Sequence, residues 1–221
     1  LIPILSDARG VALLLKKWER KQRRPDAIVI EHPAHAGGHL GATRLGDVHD
    51  GRFEFDVVLP AVQDFLRGAG LERTVPVIAA GGIADAQGVA AAMALGAAGA
   101  QVGTAYLLCP EATTSAVHRA ALQSPAAGHT ALTTLFSGRP ARGIVNRAMR
   151  ELGALDNQAP AFPLATSAIA PLRAAAERAG LGDFSPLWSG QNASACRAVP
   201  AAEVTRALAA GVPASLRSNA A

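Results

Sequence analysis

The chain has 221 residues, half of them hydrophobic yet with only six Phe, two Trp and one Tyr, and a formal net charge of +4. That length accommodates one large domain or two small ones around a useful core, and alanine-rich apolarity favours helices packed closely on a sheet over an aromatic-rich sandwich. Nucleic acid and membrane are not expected partners: the densest basic run, Lys16 to Arg24, reads as the solvated face of one helix with no second basic stripe, and no apolar run approaches the roughly 18 residues that span a bilayer.

Taken in chain order, residues 1–5 read as a short buried strand. Asp7 caps a helix that runs to about Arg23 and is stopped by Pro25. Strand 27–31 is apolar throughout, without the alternation of a half-exposed strand, as in parallel strands buried on both faces. A turn and a polar loop from Thr43 to Phe55 lead to a helix near Asp56–Gly68. Strand 75–80 ends at Gly81-Gly82, and Asp85 caps an alanine-rich helix from Gln87 to Leu95. A fourth strand covers 101–107. This alternation predicts a parallel α/β architecture. Beyond Pro110 it stops: a helix over 111–127, an arginine-rich loop within 128–150, a helix over 164–179 stopped by Gly180, and a last helix from about Ala201 to Ala210. Residues 213–221 are expected to fray. Cys109 and Cys196 lie far apart with neither metal nor disulfide spacing, which suits a reducing compartment. No secretory leader is recognised, so a cytoplasmic location is expected.

The turn His35-Ala36-Gly37-Gly38-His39-Leu40-Gly41 carries the chemistry. Two adjacent glycines remove Cβ atoms and let backbone N–H groups approach a ligand. His39 follows at the tip of the preceding strand, and histidine exchanges a proton near neutral pH without a large shift. Three readings stand open for it. It is an ordinary loop histidine; or a metal ligand with His32 and His35; or a general base or hydrogen-bond donor at a strand end. Against metal, Pro33 and the glycine pair break any helix that would gather the three histidines, and no nearby carboxylate completes a set, so no metal is expected. Gly81-Gly82 and Gly103-Thr104 each sit at the end of a predicted parallel strand. They serve either a phosphate, with the Thr104 hydroxyl as a further donor, or merely close helix–sheet packing.

Ala36-Gly37-Gly38-His39-Leu40-Gly41, Ala79-Ala80-Gly81-Gly82-Ile83-Ala84-Asp85 and Gln101-Val102-Gly103-Thr104 together resemble the nitronate monooxygenase (2-nitropropane dioxygenase) family. Phe136-Ser137-Gly138-Arg139-Pro140-Ala141-Arg142-Gly143 and Trp188-Ser189-Gly190-Gln191 look like further motifs of it, and the resemblance runs from about residue 1 to 210. It implies an FMN-dependent (β/α)8 TIM barrel with an added helical region. Strands 1–5, 27–31, 75–80 and 101–107 would be the fifth to eighth barrel strands, so that only the second half of the barrel is present. The implied division is 1–110 for that half-barrel, 111–212 for a helical extension or lid, and 213–221 for a tail. His39 would be the catalytic histidine beside the flavin. Gly37, Gly38, Gly81 and Gly82 would line the cofactor, Gln101, Val102, Gly103 and Thr104 would hold its phosphate, and Trp188, Ser189, Gly190 and Gln191 would close over it. Where many relatives carry a glutamine or glutamate seven residues before the histidine, this chain has His32 with Glu31 beside it.

By the same resemblance, the expected reaction is oxidation of an alkyl nitronate or nitroalkane by FMN and O2 to a carbonyl compound and nitrite. His39 would serve as base or as nitronate-binding group. Two rivals stand beside it: a flavin-dependent NADH enoyl-thioester reductase on the same barrel, and an inactive flavin-binding or interaction module. The sequence opens at Leu1 directly on a strand-like run, and the first four strand–helix units of the family have no counterpart. It is therefore expected to be the C-terminal part of a longer parent, or else a chain that pairs with itself or another.

Overall fold

The run Ile28-Val29-Ile30 has no polar face to turn to water, and it forms the buried centre of β2 (Ile28–Glu31). The computed structural model describes residues 1–41, 45–155 and 158–217. β2 pairs in parallel with β1 (Ile4–Leu5) on one side and with β4 (Val77–Ala80) on the other, and β4 pairs in parallel with β5 (Gly99–Gln101). The parallel sheet therefore has the order β1-β2-β4-β5, and the expected α/β class holds. Its connections are helical. α1 (Ala8–Glu19) starts where the Asp7 carboxylate accepts the Gly10 N–H at 2.6 Å. α2 (Phe55–Gly68) buries Val58, Leu59, Val62 and Leu66, a stripe at helical spacing. α3 (Ala86–Ala94) starts where Asp85 accepts the Gly88 N–H at 2.8 Å.

A second sheet is antiparallel. It joins β3 (Gly38–His39), β6 (Thr130–Thr133) and β7 (Ala141–Ile144) in the order β3-β7-β6. The remaining helices are α4 (Ala116–Leu122), α5 (Arg147–Leu152), α6 (Leu164–Arg178), α7 (Ala201–Ala209) and α8 (Ala214–Arg217). Leu108, Leu122, Ala127, Ile144, Leu187 and Ala193 form one buried cluster, and Leu135, Phe136, Ala148 and Met149 another. By contacts the chain forms two units. One contains Leu1–Ala34, Gly41–Val102 and Thr205–Ala221; the other contains His35–Leu40 and Gly103–Val204. The 1–110, 111–212 and 213–221 division drawn from the sequence is a different partition, because His35–Leu40 groups with the later residues.

Several expected elements are revised. α1 ends at Glu19, before the expected Arg23, because Gln22 takes a left-handed conformation (φ 53°) that lets the Arg23 N–H reach the Trp18 carbonyl at 2.9 Å. The expected loop from Thr43 to Phe55 contains two 3-10 turns, Leu45–Asp47 and Gly51–Phe53, the second burying Phe53; Thr43 and Arg44 lie outside the described residues. The strand expected over 101–107 stops at Gln101. Gly103 turns into a right-handed helical conformation and Thr104–Tyr106 form a 3-10 turn. The helix expected over 111–127 is α4 followed by a separate 3-10 turn, Pro125–Gly128, since Pro125 cannot continue a helix and disfavours it at Ser124. Of the arginine-rich loop expected at Ser137–Gly143, within 128–150, residues 137–140 lie in the connection between β6 and β7, and Ala141–Gly143 belong to β7. The tail at 213–221 begins with α8, and residues 218–221 lie outside the described residues. Among the described residues no helix is long and apolar enough to cross a membrane.

Candidate active site

β7 is the central strand of the antiparallel sheet, and its two edges are used differently. One edge pairs with β6 along its whole length, with Ala131 opposite Gly143 and Leu132 opposite Arg142. The other edge is shared. β3 takes its first half, with His39 opposite Ala141 and Gly38 opposite Arg142, and the segment Leu187–Ser189 continues from there. Gly143 bridges to Trp188, the Ile144 N–H donates to the Leu187 carbonyl at 2.9 Å, and the Ser189 N–H donates to the Arg142 carbonyl at 3.2 Å. Paired residues share a face of a sheet, so His39 and Trp188 lie on one face and Arg142 on the other.

Where the two segments meet, their backbones touch. A Cβ on Gly37 would stand 2.5 Å from the Gly190 nitrogen and 2.7 Å from the Ser189 carbonyl carbon, and one on Gly190 would stand 2.9 Å from the His35 carbonyl oxygen. Only glycine fits at Gly37, and the reason is this abutment. Gly38 has φ +76°, and a Cβ there would meet no atom within 4 Å. The joint is tied by the Gln191 N–H donating to the His35 carbonyl (3.0 Å) and the Gly190 N–H donating to Thr104 Oγ1 (2.9 Å). Thr104 is fixed from a second side, its carbonyl accepting the Cys196 thiol at 3.0 Å. Burial, helped by Cys109, pushes that thiol up to about 11, so it stays protonated and able to donate.

His39 leaves this joint exposed, with its ring beside two aromatic neighbours. The Phe162 ring is edge-on at 6.0 Å and the Trp188 ring is tilted at 5.9 Å, while Phe136 packs edge-on against Trp188 at 5.8 Å. Ser137 Oγ lies 2.8 Å from His39 Nε2. That hydroxyl donates to the Arg139 carbonyl (3.1 Å) and accepts the Arg139 N–H (3.3 Å). The hydroxyl has one proton, which serves either His39 Nε2 or the Arg139 carbonyl according to the tautomer of the ring. Burial first, and then the Arg139 guanidinium, hold His39 below the usual histidine value, which keeps the ring neutral at pH 7. Arg139 itself stacks over Phe162 at 4.9 Å.

The other residues expected at a site fall as follows. Gly103 and Thr104 belong to the same unit as His39; Gly103 has open space where a Cβ would stand, and Thr104 keeps a hydroxyl proton to donate. Trp188, Ser189, Gly190 and Gln191 are brought to the Gly37 joint, with Ser189 and Gly190 buried. Gly81 (φ +95°), Gly82 (φ +77°), Gln101 and Val102 belong to the other unit, at or just beyond the C-terminal ends of β4 and β5. His32 is buried in that unit too, its Nδ1 accepting the Ala34 N–H at 3.2 Å and its Nε2 lying 3.4 Å from Glu54. Three residues had no role assigned to them from the sequence. Ser137 and Arg142 lay inside a quoted motif, and His118, whose Nε2 is 3.0 Å from Ser189 Oγ, lay in none.

The family described as nitronate monooxygenase matches residues 1–211. Among curated proteins, the nitronate monooxygenase of Pseudomonas aeruginosa is 41% identical over 186 residues, which are 83% of this chain and 50% of that protein. The corresponding protein of Paraburkholderia phytofirmans is 39% identical over 188 residues, 83% of this chain and 48% of that one. This chain therefore spans about half the length of the curated relatives it matches. Among solved structures, a nitroalkane oxidase from Streptomyces ansochromogenes superposes with a TM-score of 0.77 at 32% identity, covering all of this chain and 59% of the other. FabK from Thermotoga maritima superposes with a TM-score of 0.66 at 24% identity, covering 99% of this chain and 62% of the other, a likeness of fold.

Proposed function

The chain belongs to the nitronate monooxygenase family, and from that premise we propose that it carries the base and part of the flavin site of an FMN-dependent nitronate monooxygenase. The observation that supports this best is His39, hydrogen-bonded through Nε2 to Ser137 and held below the usual histidine value, directly beside the Gly37-Gly38 turn. In the same reading, the parallel sheet β1-β2-β4-β5 is the second half of a (β/α)8 barrel.

The residues around His39 fit a flavin. Gly103 leaves open space beside its backbone, and the Thr104 hydroxyl can donate to an anionic oxygen such as a phosphate. Trp188 offers an aromatic face next to His39, and Gln191 an exposed amide, whereas buried Ser189 and Gly190 hold these two in place. Gly81, Gly82, Gln101 and Val102 are assigned as further flavin contacts on the family resemblance alone. When bound, FMN supplies the redox chemistry, accepting electrons from the nitronate and passing them to oxygen.

The protein's own part is to handle a proton and an anion. His39 removes the acidic α-proton of a neutral nitroalkane, and Ser137, by accepting from Nε2, stabilises the imidazolium that forms. The protonated ring then stands as a positive charge to hold the nitronate. Phe162 and Trp188 pack beside the ring. His39→Asn is expected to retain FMN through gel filtration, keeping the visible flavin band, while turnover of nitroalkanes falls about 10²–10⁴-fold. An unchanged rate removes His39 from the role of base. Anaerobic mixing separates the nearest rival: bleaching of the flavin by NADH and not by nitronate would make the protein a reductase.

A further inference from the structure

Arg142, the second residue of β7, is only 8% exposed. Its Nη1 donates to the Thr130 carbonyl (3.2 Å) and to Thr130 Oγ1 (3.1 Å). Nε is buried and has no partner, and no carboxylate lies within ion-pair distance of the guanidinium among the described residues. Its neighbours do not supply one. Gly38, opposite it on β3, has no side chain and borders open space, and Ser189 has its hydroxyl engaged with His118. A guanidinium keeps its charge inside a protein, and a buried charge without a counter-charge is costly.

We propose that Arg142 binds a planar anion with two oxygens, a carboxylate, nitronate or nitrite, along the Nε edge of its guanidinium, where Nε has no hydrogen-bond partner. That edge presents Nε–H and the adjacent Nη2–H side by side, a fork that matches two oxygens of one planar group. A single water would satisfy Nε and leave the charge uncompensated. A halide would balance the charge and fill only one point of the fork. The site lies on the face of the antiparallel sheet opposite His39, and it does not depend on the flavin reaction proposed above.

The test uses the purified chain without flavin. Thermal unfolding is followed in sodium nitrite, sodium formate and sodium chloride at matched ionic strength. The wild type is expected to show a saturable rise in Tm with nitrite, formate or both that exceeds the response to chloride. A rise with nitrite alone assigns the site to nitrogen oxyanions, and one with formate alone to a carboxylate-bearing ligand. Arg142→Lys keeps a positive charge but lacks the fork, and is expected to lose the preference over chloride. An equal response to all three anions, or an unchanged preference in Arg142→Lys, overturns the proposal. Should the lysine variant not fold, wild-type crystals soaked in nitrite decide: a planar density within hydrogen-bond distance of Nε supports the site, and a lone water there overturns it.

Discussion

The two units bury different things. Of the eight polar or charged side chains buried among the described residues, only Ser6 and His32 belong to the unit with the parallel sheet. Thr133, Ser137, Arg142, Asn146, Ser185 and Ser189 belong to the other. The first unit is therefore held by volume filled with apolar atoms, and substitutions in it are costed by the cavity they leave. The second is held by directed bonds as well, so that removing one partner strands another. It is also the unit that holds His39, whose Nε2 has a hydrogen-bond partner in Ser137.

The sharpest break of this contrast would come from Ile30→Ala. Ile30 is fully enclosed in β2, and its truncation is expected to lower unfolding free energy by about 2–5 kcal/mol, read from urea denaturation. A loss well under 1 kcal/mol would mean that apolar volume does not hold the first unit. Two helix caps then compare the units directly. Asp85 caps α3 with one bond to Gly88, and Asp85→Ala is expected to cost about 1 kcal/mol. Asn146 caps α5 through Met149 and also donates to the Gly182 and Ser185 carbonyls at 3.0 and 2.9 Å. Asn146→Ala should therefore cost about 2–3 kcal/mol, because the cap is lost, the Ser185 carbonyl loses its partner and the Gly182 carbonyl keeps only the Ser185 N–H. Equal costs for the two caps would erase the distinction.

The smallest expected effect concerns titration. Arg139→Gln removes the positive charge that helps hold His39 low, so the histidine should titrate closer to its ordinary value, as read by NMR of the ring. The sign for stability follows. With its folded value depressed, His39 contributes stability that is fully present above the unfolded value of about 6.5 and is lost as pH falls through the folded value. In Arg139→Gln that acid loss should shrink. A His39 titration that does not move would remove Arg139 as a cause.

The first unit was legible because its signals are local. Apolar runs such as Ile28-Val29-Ile30, glycine pairs at strand ends, and Asp7 and Asp85 just before helices all act within a few residues. The hairpin was not legible. All four residues of β7, Ala141-Arg142-Gly143-Ile144, are buried, yet an arginine and a glycine read as loop, and neither face shows an apolar alternation. His39 was singled out from the sequence and placed at the tip of the preceding strand. Its true strand, β3, is two residues long and owes its existence to a partner far along the chain. The need for glycine at 37 was visible as well, though its physical reason, the Ser189-Gly190 backbone, carried no local sign.

The shared edge of β7 has a kinetic consequence. His39 and the Ser137 hydroxyl that orients it are 98 residues apart in sequence, and Thr104 is 86 residues from the Gly190 nitrogen it holds. Contacts of such long sequence separation form late, after the loop-closure entropy has been overcome. The parallel strands and capped helices can assemble from nearer neighbours, whereas His39 acquires its Trp188 neighbour only when two distant segments arrive on one strand edge and meet end to end. The surroundings of His39 are then complete only when folding has finished, and a slow step in refolding should be seen in the return of Trp188 fluorescence next to His39 later than in the return of helical signal.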